Sequence, residues 1–442
     1  MPRKKKVPSK KQDLQTVRGM RDILPTEQFY WQKIRKTFER LAQNYNYRRL
    51  DFPVVEKVEL FERGTGKNTD IVEKEMYKFK TKGGENVCLR PEGTPSVVRA
   101  YIQHGMKTWP KPIKLYYTGP MYRYDRPQEG RYREFFQFGF EVFGEDDAVV
   151  DAQIIQLGLR IFKSLKLKNI QLYLNSIGCQ ECRPKYNKLL ISYLRNRQQS
   201  LCMDCKRRLK KNPLRILDCK EEKCTQVVSQ APQTVDHLCK DCKNHFTSLL
   251  EYLEEVEIPY ILKPQLVRGL DYYNRTVFEF YTRDDRESQA AIGGGGRYDY
   301  LVETLGGTET PAVGFACGLD RLVKELIKQN KTPLEIKPRV YLAQLGKEAK
   351  KKSLKLFSDL EKSGIIVAEN FGRGNLRSQL AQANKFGVEI VLIIGQREAL
   401  DNTIILKDMN SGGQEVLPLN KIIPEIKKRL KKNERLKSSS TK

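Results

Sequence analysis

The chain has 442 residues, with 81 Lys or Arg against 54 Asp or Glu, and therefore a formal net charge of +27. That length predicts two to four domains, each able to bury an ordinary core. The absence of a long apolar run excludes a transmembrane helix, and a basic N-terminus without an apolar stretch behind it excludes a secretory signal, so a cytoplasmic location is expected.

Positive charge is concentrated in the two tails but is not confined to them. Residues 1–12 hold six Lys or Arg and no acid, and residues 427–442 hold eight against the single Glu434. The remaining body of the chain keeps a charge of about +14, which favours a polyanion such as nucleic acid as partner. The tails have a plainer alternative, since solvated basic segments also keep a protein soluble.

The first predicted elements mix helix and strand without a regular order. A loop and then a helix are predicted for "VRGMRDILPTEQFYWQKIRKTFERLAQNYNY", where apolar residues recur at helical spacing. Strands are predicted for "RRLDFPVVE" and for "MYKFKTKGGENVCLRPEG", the second with a hairpin turn at Gly83–Gly84. A second helix is predicted for "TPSVVRAYIQHGM".

Two strands joined by a charged loop at residues 125–132 come next, "IKLYYTGPMYRY" and "REFFQFGFEVFG". Period-two alternation places Gln137, Gly139 and Glu141 on one face of the second strand and three phenylalanines on the other. A buried carboxylate is costly unless a partner cancels its charge. The polar face therefore predicts either an internal pair with an arginine or a bound ammonium or imidazolium, with a gap at Gly139 where a ligand could lie.

A helix and a strand lead into a Cys-rich, Lys-rich and mostly helical segment at about residues 176–258. The strand pattern then returns in "YILKPQLVRGLDYYNRTVFEFYTRD", which places Arg268 inside a strand. A glycine run at Gly293–Gly296 and a helix near Asp320 follow. The middle segment is interpreted as an insertion in a larger antiparallel sheet domain, and the fold class as α+β.

The segment from about residue 336 has a different pattern. "RVYLAQLG" and "IVLIIG" are continuous apolar strands, and the helices "KEAKKKSLKLFSDLEKSG" and "LRSQLAQANKFG" each end at a glycine. Strand and helix alternate, which predicts a separate α/β domain of about 95 residues.

Arginine, not a glycine loop, is the predicted means of holding phosphate. Neither "GTGKNTD" at 64–70 nor "GGGGRYD" at 293–299 has the spacing of a phosphate-binding loop, and the glycine run has a flexible loop as its alternative. A guanidinium pairs two oxygens at once and keeps its charge. Arg123, Arg268 and Arg321 each stand near glycines or aromatics, and ion pairs at the rim of the fold are the alternative.

Eight of the ten cysteines form four close pairs, which in a reducing compartment indicate metal rather than disulfides. The pairs are Cys179 and Cys182, Cys202 and Cys205, Cys219 and Cys224, and Cys239 and Cys242. Eight thiolates could form two four-cysteine zinc sites, and free thiols are the alternative. His237 and His245 lie near the last pair and are interpreted as surface or helix residues rather than ligands.

Several stretches resemble the class II aminoacyl-tRNA synthetases. The stretch "GPMYRYDRPQEGRYREFFQFGFEVFG" resembles motif 2 of that class, and "AVGFACGLDRL" resembles motif 3. The stretch "LDFPVVEKVELF", which contains Pro53, resembles motif 1. Two signatures of the histidyl-tRNA synthetase family resemble "LVRGLDYYNRTVFEF" and "GGGGRYDYLVETLGG", and "LRPEGT" fits the same family. The resemblance is to the bacterial type, keeps the family's motif order and runs from about Thr16 to Leu430.

This resemblance implies the domain organisation and the reaction. The implied domains are a catalytic domain at 13–335 with a helical insertion at 176–258, an anticodon-binding domain at 336–430, and basic tails at 1–12, disordered, and at 431–442. A homodimer built through motif 1 is implied as well. The implied reaction is the ATP-dependent ligation of L-histidine to tRNA(His) through histidyl-adenylate, releasing pyrophosphate and AMP, with ATP as its Mg²⁺ complex.

The resemblance also implies roles for particular residues. Arg123 and Arg268 would flank the α-phosphate and the histidine carboxylate, Arg131 would meet the outer phosphates, and Phe135 with Arg321 would hold the adenine. The α-ammonium would contact Glu92, Thr94 and Gln137. The imidazole would contact Glu141, Tyr273 and Tyr298. The acceptor end of the tRNA would contact Gln128 and Arg133.

Two departures and two rival functions remain. The family commonly has His or another aromatic where this chain has Phe136, and often an Ala where the glycine run opens; neither is expected to affect function. One rival is a non-catalytic paralogue that regulates histidine biosynthesis, which usually lacks the anticodon domain and the "RGLDYY" signature. The other is a module that senses uncharged tRNA, against which the three intact arginines argue.

Overall fold

The computed structural model describes residues 14–127, 130–282, 291–329, 337–372 and 375–439, so the predicted tail at residues 1–12 lies outside the described residues. The chain divides into two compact units, Met1–Pro333 and Leu334–Lys442. Among the helices in the described ranges, none combines the length and apolar character needed to cross a bilayer.

The first unit begins with a long helix and a hairpin region, as the sequence predicts. Its first elements are α1 (Pro25–Asn44), β1 (Arg48–Arg49), β2 (Val55–Lys57), α2 (Val58–Phe61), β3 (Lys78–Lys80), β4 (Asn86–Leu89), α3 (Thr94–Gln103), β5 (Ile113–Tyr122) and β6 (Glu134–Phe143). Pro25 stands at the start of α1, where its missing N–H costs no hydrogen bond. The buried face of α1 includes Trp31, Ile34 and Phe38.

The insertion is helical and is entered from a strand. The next elements are α4 (Ala148–Ser164), β7 (Ile170–Ser176), α5 (Cys182–Arg195), α6 (Met203–Lys211), α7 (Glu222–Ser229) and α8 (Lys240–Glu255). Asp147 caps α4, because its carboxylate accepts a 2.8 Å hydrogen bond from the N–H of Val149. The last helix of the insertion packs against α4 of the surrounding domain through Leu249 and Leu253, which are fully buried.

The rest of the first unit returns to the sheet. Its elements are β8 (Ile261–Leu262), β9 (Asn274–Thr282), β10 (Gly293–Arg297), α9 (Leu301–Thr304), β11 (Ala312–Gly318) and α10 (Leu319–Lys328). Within the described residues the main sheet has the order β1-β5-β6-β11-β10-β9-β7-β8. The pairs β1–β5 and β7–β8 at its edges are parallel, and the pairs between them are antiparallel. The α+β prediction is therefore confirmed.

The prediction that Arg268 lies inside a strand is wrong. Only Ile261–Leu262 form the short β8, and residues 263–273 are a turning segment before β9. Pro264 cannot donate to a strand ladder. The side-chain amide of Asn175 instead donates to the carbonyl oxygens of Pro264, at 3.1 Å, and Leu266, at 2.9 Å. The apolar residues that suggested a strand line a buried loop.

The glycine run is a strand and not the flexible loop considered above. Residues Gly293–Arg297 form β10, fully buried between β9 and β11. A Cβ added at Gly295 would overlap the carbonyl oxygen of Gly314 on β11. The glycines are therefore needed because neighbouring backbones approach too closely for side chains.

The alternation predicted for β6 divides the molecule into two sides. Phe138 and Phe140 are fully buried, and Phe138 stacks on Phe38 of α1 with ring centroids 4.6 Å apart. Phe136 lies edge-on to Trp31 at 5.3 Å, on the same core side as expected. The opposite face of β6 is left for the polar residues.

The second unit is the small α/β domain that the sequence predicts. Its elements are β12 (Val340–Gln344), α11 (Lys347–Lys362), β13 (Val367–Glu369), α12 (Leu376–Phe386), β14 (Ile390–Ile394), α13 (Gln396–Asp401), β15 (Thr403–Asp408), β16 (Gln414–Pro418) and α14 (Ile422–Ser439). The sheet order is β13-β12-β14-β15-β16, parallel over the first three strands. The backbone of α14 continues to Ser439 and so includes most of the segment set apart above as a basic tail.

Candidate active site

A cleft of about 460 Å³ lies over the polar face of the main sheet. It brings together residues that the sequence analysis took from separate motifs. The predicted residues that line it are Glu92, Thr94, Arg123, Arg131, Phe135, Gln137, Arg268, Tyr273 and Arg321. Glu141 and Tyr298 are each only 1% exposed and hydrogen bond to each other beside Thr94. Gln128 lies outside the described residues.

Arg123, Arg131 and Arg321 are grouped in one part of the cleft. Arg123 follows β5, and its Nε donates to the carbonyl of Pro91 at 2.9 Å. Its guanidinium lies 5.3 Å from the ring centroid of Phe135. Burial, and then the positive charges of Arg131 and Arg123, lower the pKa of Arg321. A bound polyanion would remove this mutual repulsion.

Arg268 is held by an acidic residue that the sequence analysis missed. Its Nη1 pairs with Oε1 of Glu279 on β9, and the hydroxyl of Tyr281 donates to the other carboxylate oxygen. Burial lowers the pKa of Arg268, but Glu279, Tyr273 and Tyr272 together outweigh it and the pKa is raised overall. The signal was present, because Glu279 and Tyr281 alternate with the buried Phe278 and Phe280.

Glu141 lies at the centre of a buried hydrogen-bond cluster. Oε1 accepts from the Thr94 hydroxyl at 2.7 Å, and Oε2 accepts from the Tyr298 hydroxyl at 2.5 Å. Burial raises the pKa of Glu141 to about 8, although both hydrogen bonds oppose the shift. The carboxyl group can therefore change protonation near neutral pH, so it is suited to a ligand that titrates in the same range.

Glu92 forms a second buried acidic position. Its carboxylate accepts hydrogen bonds from the hydroxyl of Thr65 and, at 2.9 Å, from that of Tyr272. Burial is the main cause of its raised pKa. Neither Thr65 nor Tyr272 was singled out from the sequence, since each reaches Glu92 only through the tertiary fold.

The gap predicted at Gly139 is occupied by protein. A Cβ added at Gly139 would overlap the ring of Tyr117 on β5, and so would a Cβ at Gly93. Tyr117 is 2% exposed and lines the cleft. The glycines therefore make room for a tyrosine rather than for a ligand, and the sequence analysis missed that tyrosine because it reasoned within one strand.

Replacing Gly139 by Ala is expected to displace Tyr117 and deform the cleft. The free energy of unfolding should fall by about 1–3 kcal/mol, as in other overpacked cores, and ligand binding in the cleft should weaken. Thermal unfolding and ligand titration measure the two effects. Gly83→Ala is the matched control, since its nearest contact is Thr81 Oγ1 at 3.8 Å. An unaltered melting temperature for Gly139→Ala would contradict the packing argument.

The charged loop after β5 holds its arginines at the cleft's outer rim. Arg131 pairs with Asp125 at 2.5 Å and is half exposed. Arg133 stacks over the ring of Tyr124, 3.8 Å from its centroid, and donates to the carbonyls of Asp125 and Arg18. Arg133 is not among the residues that line the cleft.

The eight paired cysteines assemble into two groups of four. The outer cluster contains Cys179, Cys182, Cys239 and Cys242, and the inner cluster contains Cys202, Cys205, Cys219 and Cys224. In each cluster the sulfur atoms lie within 4.8 Å of one another. Measured Sγ–Sγ distances are 3.6 Å and 3.8 Å in the outer cluster and 3.9 Å in the inner one. Four sulfurs at 2.3 Å from a tetrahedral zinc would be about 3.8 Å apart.

Backbone N–H groups point at the cluster sulfurs. The N–H of Cys239 lies 3.0 Å from Cys182 Sγ, and the N–H of Cys202 lies 3.1 Å from Cys224 Sγ. Such donors favour thiolates and are the usual second layer around a metal. Neither cluster includes a histidine, and His245 lies instead 3.4 Å from the buried Asp151.

Each of the two units matches a known protein family. A sequence profile described as histidyl-tRNA synthetase matches residues 19–322, and one described as an anticodon binding domain matches residues 339–429. A histidine–tRNA ligase of Dehalococcoides mccartyi is 47% identical over 417 residues, which cover 94% of this chain and all of that protein. One from Thermodesulfovibrio yellowstonii is 45% identical over 413 residues, covering 93% of this chain and 98% of the other.

A solved structure is similar to this chain over most of its length. The crystal structure of the apo histidyl-tRNA synthetase of S. aureus superimposes with a TM-score of 0.78 at 33% identity, covering 93% of this chain and 99% of that chain.

Proposed function

Because the chain belongs to the histidyl-tRNA synthetase family, we propose that it ligates L-histidine to tRNA(His) at the expense of ATP, in protein biosynthesis. The histidine carboxylate attacks the α-phosphorus, forming histidyl-adenylate and releasing pyrophosphate. A terminal ribose hydroxyl of the tRNA then takes the histidyl group and AMP leaves. One observation carries the proposal: a buried, titratable Glu141 lies beside a cleft lined by clustered arginines.

The arginines are assigned to ATP, bound as its Mg²⁺ complex. Arg123 contacts the α-phosphate and the histidine carboxylate, and Arg131 contacts the outer phosphates. Arg321 and Phe135 hold the adenine between them, and the mutual charge effect of the cleft arginines supports an anionic ligand. Fixed positive charge here stabilises the charge that develops on the phosphoryl oxygens.

Arg268 is assigned to the reacting centre from the side opposite Arg123. Two anions must meet in the first step, and a guanidinium that is already oriented lowers the barrier without reorganising. The pairing with Glu279 supports such fixed orientation.

Histidine recognition is assigned to the buried acidic groups. Glu92, Thr94 and Gln137 take the α-ammonium, whose charge would offset the desolvation of Glu92. Glu141, Tyr273 and Tyr298 take the imidazole. An amino acid without ring nitrogens would leave this cluster unpaired, which is a strong basis for rejection.

The tRNA contacts complete the proposal. The loop at 126–133, through Gln128 and Arg133, reaches the acceptor end and its extra 5′ guanine, and the insertion packs over the acceptor stem. The second unit holds the anticodon stem-loop, as its match to an anticodon-binding profile supports. Positive charge on the body favours such a partner.

Assembly and location follow the family. We infer a homodimer through the motif 1 region. There β2, β4 and β3 form a separate three-stranded sheet, in which Val55 and Phe79 are 43% and 45% exposed. Eight thiols available for metal suit a reducing compartment, which supports the cytoplasm as the location.

Histidine-dependent exchange of ATP with pyrophosphate tests the proposed first step, and charging of tRNA(His) tests the second. Exchange that is specific for histidine supports the enzyme over both a regulatory paralogue and a tRNA sensor. Absent exchange, or exchange driven by a different amino acid, would overturn the proposal.

Each cysteine cluster is proposed to hold one structural Zn²⁺. Tetrahedral spacing and N–H donors to sulfur support the fit. A bound zinc would cross-link separate helices of the insertion, α5 with α8 in the outer cluster and α6 with α7 in the inner one. The chain's own thiolates supply every ligand in both clusters, so the ions would have no open position for chemistry.

Elemental analysis of the purified protein is expected to find two zinc ions per chain. Cys205→Ser should lose one of them because it removes an inner-cluster ligand. Cys88→Ser is the control, since Cys88 is buried alone and its thiol lies 3.7 Å from the carbonyl oxygen of Glu56. Two free-thiol clusters with no zinc would contradict the prediction.

A further inference from the structure

The outer cysteine cluster is joined to the candidate histidine site by one side chain. Cys182 is the first residue of α5, and Arg183 follows it directly. A terminal nitrogen of Arg183, Nη2, donates to the backbone carbonyl of Tyr273. Its Nε is buried and has no hydrogen-bond partner among the described residues. The contact to Tyr273 is therefore the principal polar anchor of this guanidinium.

Backbone hydrogen bonds reinforce the same connection. Gly178, next to Cys179, accepts a 2.9 Å hydrogen bond from the N–H of Arg275. The carbonyl of Arg275 accepts in turn from the N–H of Ile177 at 2.8 Å. Arg275 has φ +49°, which is strained for a residue with a side chain and needs support from its surroundings. The start of β9 is thus held by residues adjacent to the cluster.

Tyr273 links the residues beside the outer cluster to the cleft, because its side chain lines the cleft. Its ring lies 4.6 Å from that of Tyr272, which hydrogen bonds to Glu92, and 5.6 Å from the Arg268 guanidinium. A shift of the Tyr273 backbone would therefore move groups assigned to the imidazole, the α-ammonium and the reacting carboxylate together. Small misplacements of such groups have large effects on binding and rate.

The inner cluster has different connections. The helix that contains Cys205 contributes Arg208, which pairs with Asp70 at 2.8 Å, and Lys211, which pairs with Glu73 at 2.8 Å. These pairs are exposed or half-exposed, and such pairs contribute little energy. Asn212, which follows the same helix, donates a 2.6 Å hydrogen bond to Asp271, two residues before Tyr273, so the inner cluster reaches this loop through a side chain and not through the Tyr273 backbone. No hydrogen bond from the described part of the inner cluster reaches Tyr273.

We propose that the outer cluster, when it holds its metal, positions Tyr273 through Arg183 and so sets the affinity for histidine. Arg183 is a positioning residue in this scheme and does not touch substrate. A metal held by the outer cluster would fix the turn at Cys179–Cys182 and the start of α5, and α5 directs Arg183 toward the backbone carbonyl of Tyr273. The inference rests on the proposed function and on zinc in the outer cluster.

Arg183→Ala is expected to raise the dissociation constant for histidine about tenfold or more, because a charged hydrogen bond to Tyr273 is lost. Zinc content should stay at two per chain and the KM for ATP should change less than twofold, whereas the kcat for exchange should also fall, because Arg268 is displaced together with Tyr273. Calorimetry, elemental analysis and exchange kinetics supply these readouts. Arg183→Lys should recover part of the affinity, since it keeps one charged donor.

The matched control is Lys206→Ala, which changes the residue after Cys205 in the inner cluster, the same place that Arg183 takes after Cys182. It should leave histidine affinity unchanged. Cys242→Ser should lose one zinc and weaken histidine binding as Arg183→Ala does. Cys224→Ser should lose one zinc without that weakening. Adding Arg183→Ala to Cys242→Ser should cause little further loss, because the two act along one path.

Unchanged histidine affinity in Arg183→Ala would overturn the inference, as would equal weakening by the two cysteine variants. Because Arg183→Ala leaves every cysteine in place, it remains decisive if a cysteine variant does not fold. A wild-type protein that fails to catalyse histidine-dependent exchange would instead overturn the proposed function. The two failures are therefore distinguishable.

Discussion

Arg268→Ala is expected to lower kcat for histidine-dependent ATP–pyrophosphate exchange about 1,000-fold, with a much smaller change in the KM for ATP. Removing a fixed positive group from a site of developing charge typically costs this much or more. The guanidinium is already oriented by Glu279, so its contribution falls on the transition state rather than on ground-state binding. Steady-state exchange kinetics separate the two parameters.

Two further variants guard the interpretation of Arg268→Ala. Removing the arginine leaves Glu279 half-buried and unpaired, which can itself destabilise the fold. The double variant Arg268→Ala with Glu279→Gln removes that charge. It should remain inactive, but its free energy of unfolding should be closer to that of the wild type. Arg397→Ala, at a position 90% exposed in the second unit, is the neutral control. Exchange by Arg268→Ala at near wild-type kcat would contradict the assigned role.

Histidine affinity is expected to peak between about pH 6.5 and pH 8. Burial raises the pKa of Glu141 to about 8, and a free imidazole titrates near 6.5. We assume that the bound carboxyl and imidazole share one proton. Above about pH 8 both groups are deprotonated before binding, so binding takes up a proton. Below about pH 6.5 both are protonated before binding, so binding releases one. The dissociation constant should then rise about tenfold per pH unit beyond either edge. Calorimetry in buffers of different ionisation enthalpy measures the proton count directly.

Glu141→Gln tests the same carboxyl by two routes. At pH 7 it should weaken histidine binding by about 100-fold or more, because a neutral amide cannot carry the shared proton. It should also abolish the alkaline decline in affinity. A pH-independent dissociation constant in the wild-type protein would contradict the shared-proton scheme.

The stability of the unliganded protein gives an independent check. The Glu141 pKa is raised from 4.5 in the unfolded chain to about 8, so the stability that protonation adds to the folded chain is fully present below about pH 4.5. That contribution is lost as pH rises through 8. Glu141→Gln should therefore gain stability relative to wild type at pH 9, by up to about 5 kcal/mol. Identical pH profiles of unfolding would show that Glu141 does not titrate as described.

The sequence predicts local features of the cleft and misses those made across strands. The polar face of β6 followed from alternation, because side-chain direction in a strand is a local property. Tyr117 was missed because its ring reaches Gly139 from the neighbouring strand. Glu279 was missed for a related reason, since its partner Arg268 lies in a loop that the apolar pattern presented as a strand.

The cysteine pairs show the same limit. Spacing within each pair indicated metal ligands, but which pairs share a cluster depends on the path of the insertion. The first and last pairs form the outer cluster, and the two middle pairs form the inner one. A sequence of eight cysteines permits other combinations, and only the positions of α5 to α8 decide among them.

This nested order has a consequence for biosynthesis. During synthesis all four thiols of the inner cluster would leave the ribosome before Cys239, so the inner cluster would bind its ion first. Once the inner cluster holds its ion, the free length of chain between Cys182 and Cys239 is shorter, and less conformational entropy is lost when the outer cluster forms. Metal starvation would then leave the outer cluster open, and the start of β9 would lack the support of the residues beside that cluster.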